Sequence, residues 1–167
     1  RNGVTAVGDM DCTIENWMTY RRAGDTGRLQ IRLMSYAASV ADMILIGGTG
    51  PTPWLYDDRL RLGGLGELYL DGALGSRGAR LKAPYADDPK STGIKRLDTT
   101  QLRNLMSRAA LDDFQVAVDA TGDAANAEVL SAIAEMSDTY KGDRRWRIEG
   151  ADVVDPADLA SFGKDGA

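Results

Sequence analysis

Strand-like and helix-like stretches alternate along this chain, and this alternation limits its possible folds more than any other feature. Apolar residues alternate with other residues in five stretches, around residues 3–9, 29–33, 68–70, 114–118 and 146–148. Apolar residues at helical spacing follow Thr13, Asp98 and Asp123, and Asp155 before Pro156 is typical of a helix start. The pattern predicts an α/β fold with a parallel sheet and about five βα units.

One long stretch, residues 37–64, fits this alternation poorly. It carries a short apolar patch at Met43–Ile46, followed by glycines and prolines from Gly47 to Pro53. Such residues break regular structure, so we predict a long loop with at most one helical turn. Gly47–Gly50 lacks the Gly-Lys-Ser/Thr ending of a phosphate loop, which argues against a nucleotide site.

The alternation fits either an open doubly wound sheet or part of a (β/α)8 barrel. A complete barrel usually needs about 250 residues, whereas this chain has 167. We therefore predict a single domain over residues 1–167, and a barrel would be a partial one. A barrel segment leaves its inner face and both edge strands uncovered, so it is expected to form a homo-oligomer or to pair with missing barrel segments.

Composition narrows the classes of function. The net charge of −5 is spread along the chain, which argues against a nucleic-acid partner. No apolar run has the length of a membrane span and no signal pattern is present, so we predict a cytoplasmic protein. The single cysteine, Cys12, excludes an internal disulfide and is interpreted as a buried or idle thiol.

The chain has no histidine. Histidine is the commonest metal ligand and the usual general base at neutral pH. Any chemistry within this chain must therefore use carboxylates, lysine, tyrosine, serine or cysteine.

Several multi-residue motifs stand in order along nearly the whole chain. They are Trp54–Leu60 (WLYDDRL), Tyr69–Ala79 (YLDGALGSRGA), Lys82–Pro89 (KAPYADDP), Gln115–Asn126 (QVAVDATGDAAN) and Gly142–Ala151 (GDRRWRIEGA). Together they resemble amidohydrolase family 3. The resemblance implies a (β/α)8 barrel that hydrolyses amide and related C–N bonds with one or two divalent ions such as Zn²⁺. It also implies metal ligands at the carboxyl ends of the strands.

The expected ligands are an early His-x-His pair, a Lys or Glu on a middle strand, one His on each of two later strands, and a final Asp. The chain begins after the place of the pair and stops before the final Asp, so we interpret it as a central segment. Glu67 stands at the bridging position, Asp119 replaces the His of the V-H-A-x-G-D motif, and Gly150 replaces that of I-E-H-A. Gly8 also stands where relatives often carry His. The surrounding motifs are intact, which indicates selective removal of histidine, by redesign or in a natural pseudoenzyme.

Four residues are candidates for a site. Glu67 and Asp119 could bind a hard cation through oxygen, or could be solvated acids at strand ends. Asp71 and Arg77 resemble family residues of the substrate loop, where an arginine can clamp a carboxylate. The alternative for this second pair is loop geometry with a surface ion pair.

Two classes of function follow. The first is a segment of an amidohydrolase-like, metal-dependent hydrolase that is inactive alone, with Zn²⁺ implied by the family but not expected to be bound. The second is a non-catalytic half-barrel module, engineered or pseudoenzymatic, that self-associates. A further possibility is that a longer polypeptide supplies the ligands that this chain lacks.

Overall fold

The computed structural model describes residues 2–164, in which strands and helices alternate. The strands are β1 (Ala6–Cys12), β2 (Arg32–Ala37), β3 (Leu60–Tyr69), β4 (Gln115–Ala120) and β5 (Arg147–Gly150). The helices are α1 (Ile14–Asp25), α2 (Val40–Gly47), α3 (Thr99–Leu111) and α4 (Asp123–Thr139), with 3₁₀ helices at Leu74–Ser76 and Pro156–Ser161. None of the helices in this range is long and apolar enough to cross a membrane.

The five strands form one sheet in the order β1-β2-β3-β4-β5. The pairs β1–β2, β2–β3 and β4–β5 are parallel. Sequential neighbours joined by helical or long connections are the βα units of a (β/α)8 barrel. The predicted fold class, an α/β fold with about five units of a partial barrel, is confirmed.

The chain divides into two compact units, and each has its own buried core. The first holds residues up to Glu67 together with Arg108–Val116, and the second holds Leu68–Ser107 together with residues from Ala117 onwards. Fully buried side chains of the first unit include Met43, Leu60, Leu62 and Phe114, and those of the second include Leu70, Leu102, Met106, Val118, Val129 and Ile133. The single domain expected from the sequence stays a prediction.

Side-chain caps explain where three helices begin. The Thr13 hydroxyl accepts a hydrogen bond from Asn16 N at the start of α1, and the Ser39 hydroxyl accepts one from Asp42 N at the start of α2. Before α3, Asp98 Oδ1 accepts from Gln101 N at 2.8 Å, while Asp98 N donates to Gln101 Oε1 at 3.2 Å. This reciprocal capping box satisfies backbone groups that the first helical turn leaves free.

The prediction for residues 37–64 was wrong, because this stretch contains α2 and the first half of β3. The loop was predicted from the glycines and prolines of Gly47–Pro53, but the strand that follows them contains glycines of its own, Gly63 and Gly64. A Cβ at Gly63 would lie 2.3 Å from Met34 Cε, and one at Gly64 would lie 2.2 Å from Tyr36 Cδ1. These strand glycines make room for large side chains of β2.

Other boundaries also differ from the sequence prediction: β1, expected around residues 3–9, is Ala6–Cys12, and β3, expected around residues 68–70, is Leu60–Tyr69. The alternation around residues 29–33 falls mostly before β2, which begins at Arg32 and continues to Ala37. The predicted helix at Asp155 is a 3₁₀ helix, Pro156–Ser161, whose first turn is capped by Asp155.

Candidate functional site

The carboxyl ends of the strands hold the positions predicted to bind metal. In the first unit, Glu67 lies near the end of β3 and is half-buried. Gly8 lies within β1 and is exposed. Because glycine has no side chain, it offers no side-chain ligand. The first unit therefore contributes one carboxylate at these positions.

In the second unit, Asp119 lies near the end of β4 and is half-buried. Its partner across the parallel ladder is Glu149 of β5, and the next pair is Ala120 with Gly150. Residues paired in this way point to the same face of a sheet. Two acidic residues, Asp119 and Glu149, therefore occupy neighbouring positions on one face.

Arg147 adds a positive charge to that face, because it lies two residues before Glu149 on the same strand. Its Nε is 2.6 Å from Glu149 Oε1. The sequence prediction missed Arg147 and Glu149, because it followed only the place of the missing histidine at Gly150. The alternation of Arg147, Ile148 and Glu149 could have indicated that Arg147 and Glu149 share one face of a strand.

These residues do not provide the shell of a divalent ion. Within residues 2–164 no group of three or more His, Cys, Asp or Glu side chains is arranged to hold a metal. Gly150 has no donor side chain, and one carboxylate of the second unit is engaged by Arg147. A catalytic zinc ion usually has three protein ligands. The donors of this chain alone therefore do not fit the metal that the family implies.

Cys12, the only thiol, is also unsuited to chemistry. It is fully buried at the end of β1. Burial raises the pKa of the thiol to about 12. A thiol that stays protonated at neutral pH is a poor nucleophile and a poor metal ligand, so the interpretation of Cys12 as a buried thiol is confirmed.

Asp71 is enclosed in the second unit, with 1% of its surface exposed. Its Oδ2 accepts hydrogen bonds from Arg80 N at 2.7 Å and from Gly122 N at 2.9 Å, and its Oδ1 accepts one from Thr121 N at 2.9 Å. Three backbone donors thus converge on one carboxylate. The carboxylate joins the loop after β3 to the turn between β4 and α4, two residues beyond Asp119.

Arg77 points to a different partner. It adopts a left-handed backbone conformation with φ of 56° after the Leu74–Ser76 turn, and its side chain is 51% exposed. Arg77 Nη2 lies 3.0 Å from Asp87 Oδ2, and the hydrogen bond from Arg77 holds the pKa of Asp87 below its usual value. Asp71 and Arg77 therefore have separate partners, and their role in substrate binding stays a prediction.

Glu128 of α4 binds residues of the long loop between β3 and α3. Its side chain is 10% exposed and accepts hydrogen bonds from Arg80, Lys95 and Thr99. Burial acts to raise the pKa of Glu128, but the hydrogen bonds from Lys95, Thr99 and Arg80 outweigh it and lower the pKa to about 2.

Stability is expected to fall in acid because of Glu128. Its carboxyl has a pKa of 4.5 when unperturbed and about 2 when folded, so its contribution is complete above pH 4.5 and is lost as the pH falls towards 2. Allowing for solvent screening, we expect this contribution to be about 2 kcal/mol. Urea unfolding between pH 6 and 2 measures it. Glu128→Gln should flatten this dependence, and an unchanged slope in the variant would contradict the assignment.

One sheet whose successive strands are joined by helices and long connections defines the class of this chain, a partial (β/α) barrel. The sequence profile of the Amidohydrolase family matches residues 1–166. The chain belongs to the amidohydrolase family.

Two curated proteins illustrate the relationship. The chain is 35% identical over 124 residues to Protein LONG AFTER FAR-RED 3 of Arabidopsis thaliana, covering 74% of this chain and 20% of that protein. It is 40% identical over 89 residues to the Putative amidohydrolase YtcJ of Bacillus subtilis (strain 168), covering 53% of this chain and 16% of that protein. This chain therefore spans a fifth or less of the length of these relatives.

Two crystal structures share the fold. They are uncharacterized metal-dependent hydrolases from Pyrococcus horikoshii OT3 and Pyrococcus furiosus, with TM-scores of 0.84 and 0.83 and identities of 27% and 28%. Each match covers 98% of this chain, and 32% or 33% of the solved chain. The match supports the predicted family, and this chain corresponds to about a third of each solved protein.

Proposed function

We propose that this chain is a segment of an amidohydrolase-like hydrolase of amide and related C–N bonds, and that it is inactive by itself. The observation that carries the proposal is that Asp119 on β4 and Gly150 on β5 lie where the family resemblance implies histidines, in a chain that the family profile matches over residues 1–166. Hydrolysis in this class depends on a bound divalent ion. This chain brings together too few donors to hold one, so we expect the scaffold to persist without the activity.

The identity of the ion is part of the same proposal. Zn²⁺ favours nitrogen and sulfur ligands along with carboxylates, whereas Glu67 and Asp119 offer oxygen only. Oxygen ligands suit harder cations such as Mg²⁺ or Mn²⁺. We therefore expect weak binding of a hard cation at most, unless other parts of a longer polypeptide complete the shell.

A hydrolysis assay tests the proposal. The purified chain is incubated with N-acyl amino acids and cyclic amides, with and without added Zn²⁺ or Mn²⁺, and product formation is compared with that of the Asp119→Ala variant. We expect the two proteins to give the same rate as buffer. Metal-dependent hydrolysis by the chain that Asp119→Ala abolishes would show that the proposal is wrong.

A self-associating, non-catalytic module is the second candidate. It is favoured by β1, which pairs only with β2 among the described strands and exposes Val4 and Val7 nearby, by 56% and 39% of their surfaces. An open strand edge with exposed apolar residues is a common site of association. The partner would be a second copy of this chain or the remaining segments of a barrel.

The mass in solution distinguishes this candidate. Light scattering should give a mass that rises with concentration, and a dye that binds apolar surface should fluoresce less as the oligomer forms. A constant monomer mass without dye binding would exclude self-association. The cytoplasmic location and the lack of a nucleic-acid partner stay predictions from the sequence.

A further inference from the structure

We propose that Arg32, Trp54 and Arg61 form a binding site for a small oxyanion, a phosphate or a carboxylate, at the amino-terminal ends of β2 and β3. All three residues belong to the first unit. The site is separate from the candidate metal positions, since Arg61 and Glu67 are six residues apart on β3, or about 20 Å along a strand.

The two arginines share one face of the sheet. Arg61 pairs across the ladder with Met34, and Arg32 lies two residues before Met34 on β2, so the side chains of all three point the same way. The opposite face is the one covered by α2, where Leu62 lies against Gly47 and Phe114. The arginines are therefore on the face that α2 does not cover.

Trp54 contacts both guanidinium groups. The guanidinium carbon of Arg32 lies 5.9 Å from the centre of the Trp54 ring, and that of Arg61 also lies 5.9 Å from it. Each contact is a favourable cation–π interaction. The two guanidinium groups carry the same charge beside one ring, so an anion bound there would be attracted by both.

The hydrogen-bond donors of this cluster are not all used. Arg61 Nε is buried and has no hydrogen-bond partner. Arg32 Nε donates to the carbonyl oxygen of Asp58 at 2.8 Å, which fixes the guanidinium while its terminal nitrogens stay available. A buried donor without an acceptor costs stability, so an acceptor at Arg61 would satisfy a group that the described chain leaves unpaired.

No carboxylate of the described residues neutralises the pair. Asp57 and Asp58 are the acidic residues nearest to Arg61 in sequence, and the carbonyl oxygen of Asp58 accepts from Arg32, but both side chains are exposed and neither forms an ion pair with Arg32 or Arg61. Guanidinium groups bind planar carboxylates and phosphate oxygens through paired N–H donors. A small oxyanion therefore matches both the charge and the free donors.

Calorimetric titration with inorganic phosphate, and separately with acetate, tests the site at constant ionic strength. We expect saturable binding of at least one anion, and because a charge-assisted hydrogen bond contributes about 1.5–3 kcal/mol, Arg61→Gln should weaken it by about tenfold or more. Arg32→Gln should have a similar effect, and it serves as the second test if Arg61→Gln does not fold. Arg28→Gln, at an exposed arginine near β2, is the matched control and should bind as the parent does.

Fluorescence locates the anion. The chain has three tryptophans, and Trp54→Phe should remove the anion-dependent change in emission. Three results would overturn the site: no saturable binding of either anion, unchanged binding in both Arg61→Gln and Arg32→Gln, or equal weakening by Arg28→Gln. The last result would show only general attraction between the anion and positive charge.

Discussion

Replacing Asp71 with alanine is expected to lower the free energy of unfolding by about 4 kcal/mol. The carboxylate accepts hydrogen bonds from Arg80 N, Thr121 N and Gly122 N, and it is almost completely buried. Alanine would leave three backbone donors without acceptors, and water could not reach them without opening the loop. Asp71→Asn should be less harmful because its amide oxygen still accepts a hydrogen bond.

Chemical denaturation in urea measures this effect, and Asp87→Ala is the matched control. Asp87 lies in the same long loop, but it is 66% exposed, and its ion pair among residues 2–164 is with the exposed Arg77. Such a surface ion pair contributes about 0–1 kcal/mol, so the control should stay close to the parent. We call Asp71 a clamp, because its carboxylate holds the loop after β3 to the turn between β4 and α4. If Asp71→Ala were as stable as Asp87→Ala, Asp71 would not have this role.

Gly122→Ala is expected to destabilise the chain by about 3 kcal/mol for a different reason. A Cβ at this position would lie 2.1 Å from Arg80 O, 2.6 Å from Arg80 C and 2.7 Å from Arg80 N. All three atoms belong to the backbone, so no side-chain rotation relieves the clash. The loop would have to move away, and the hydrogen bond from Gly122 N to Asp71 would be lost with it.

Gly75→Ala provides the control for this second substitution. Gly75 lies in the same loop, and a Cβ there would meet no atom within 4 Å. We expect urea unfolding of Gly75→Ala to match the parent within about 0.5 kcal/mol. The double variant Asp71→Ala with Gly122→Ala should lose less than the sum of the two single losses, because both act on one contact. Additive losses would contradict a shared clamp.

The clamp matters for the candidate site because it acts close to Asp119. Thr121 and Gly122, which donate to Asp71, lie two and three residues after Asp119 along the chain. The scaffold that would position a group at the end of β4 is therefore intact, even though the group itself is an aspartate. This separation of scaffold from ligand is what we expect if the chemistry was lost and the fold was kept.

Much of the fold was predictable because its periodicity is local. The apolar spacing of α3 and α4, and the capping residue Asp98, depend on neighbours within a few positions of the sequence. The start of β3 was not predictable in this way, since the need for Gly63 and Gly64 comes from Met34 and Tyr36 on another strand.

For the candidate site, the sequence predicted which residues are candidates but not which groups they contact. The family motifs indicated Glu67, Asp119, Asp71 and Arg77, but the contacts of Asp71 join residues 9, 50 and 51 positions apart. Such distant pairs have no local pattern in a single sequence. The ion pair of Arg147 with Glu149 is local, but the family motif draws attention to the histidine position at Gly150 and not to these two residues.

The metal content of the purified protein, measured by elemental analysis after dialysis against metal-free buffer and alongside its mass in solution, tests most directly whether the metal site has been lost. Because ligand number and type determine how tightly a metal is retained, we predict far less than one divalent ion per chain, with no change in Asp119→Ala. Retention of one ion per chain that Asp119→Ala removes would contradict the loss of the site.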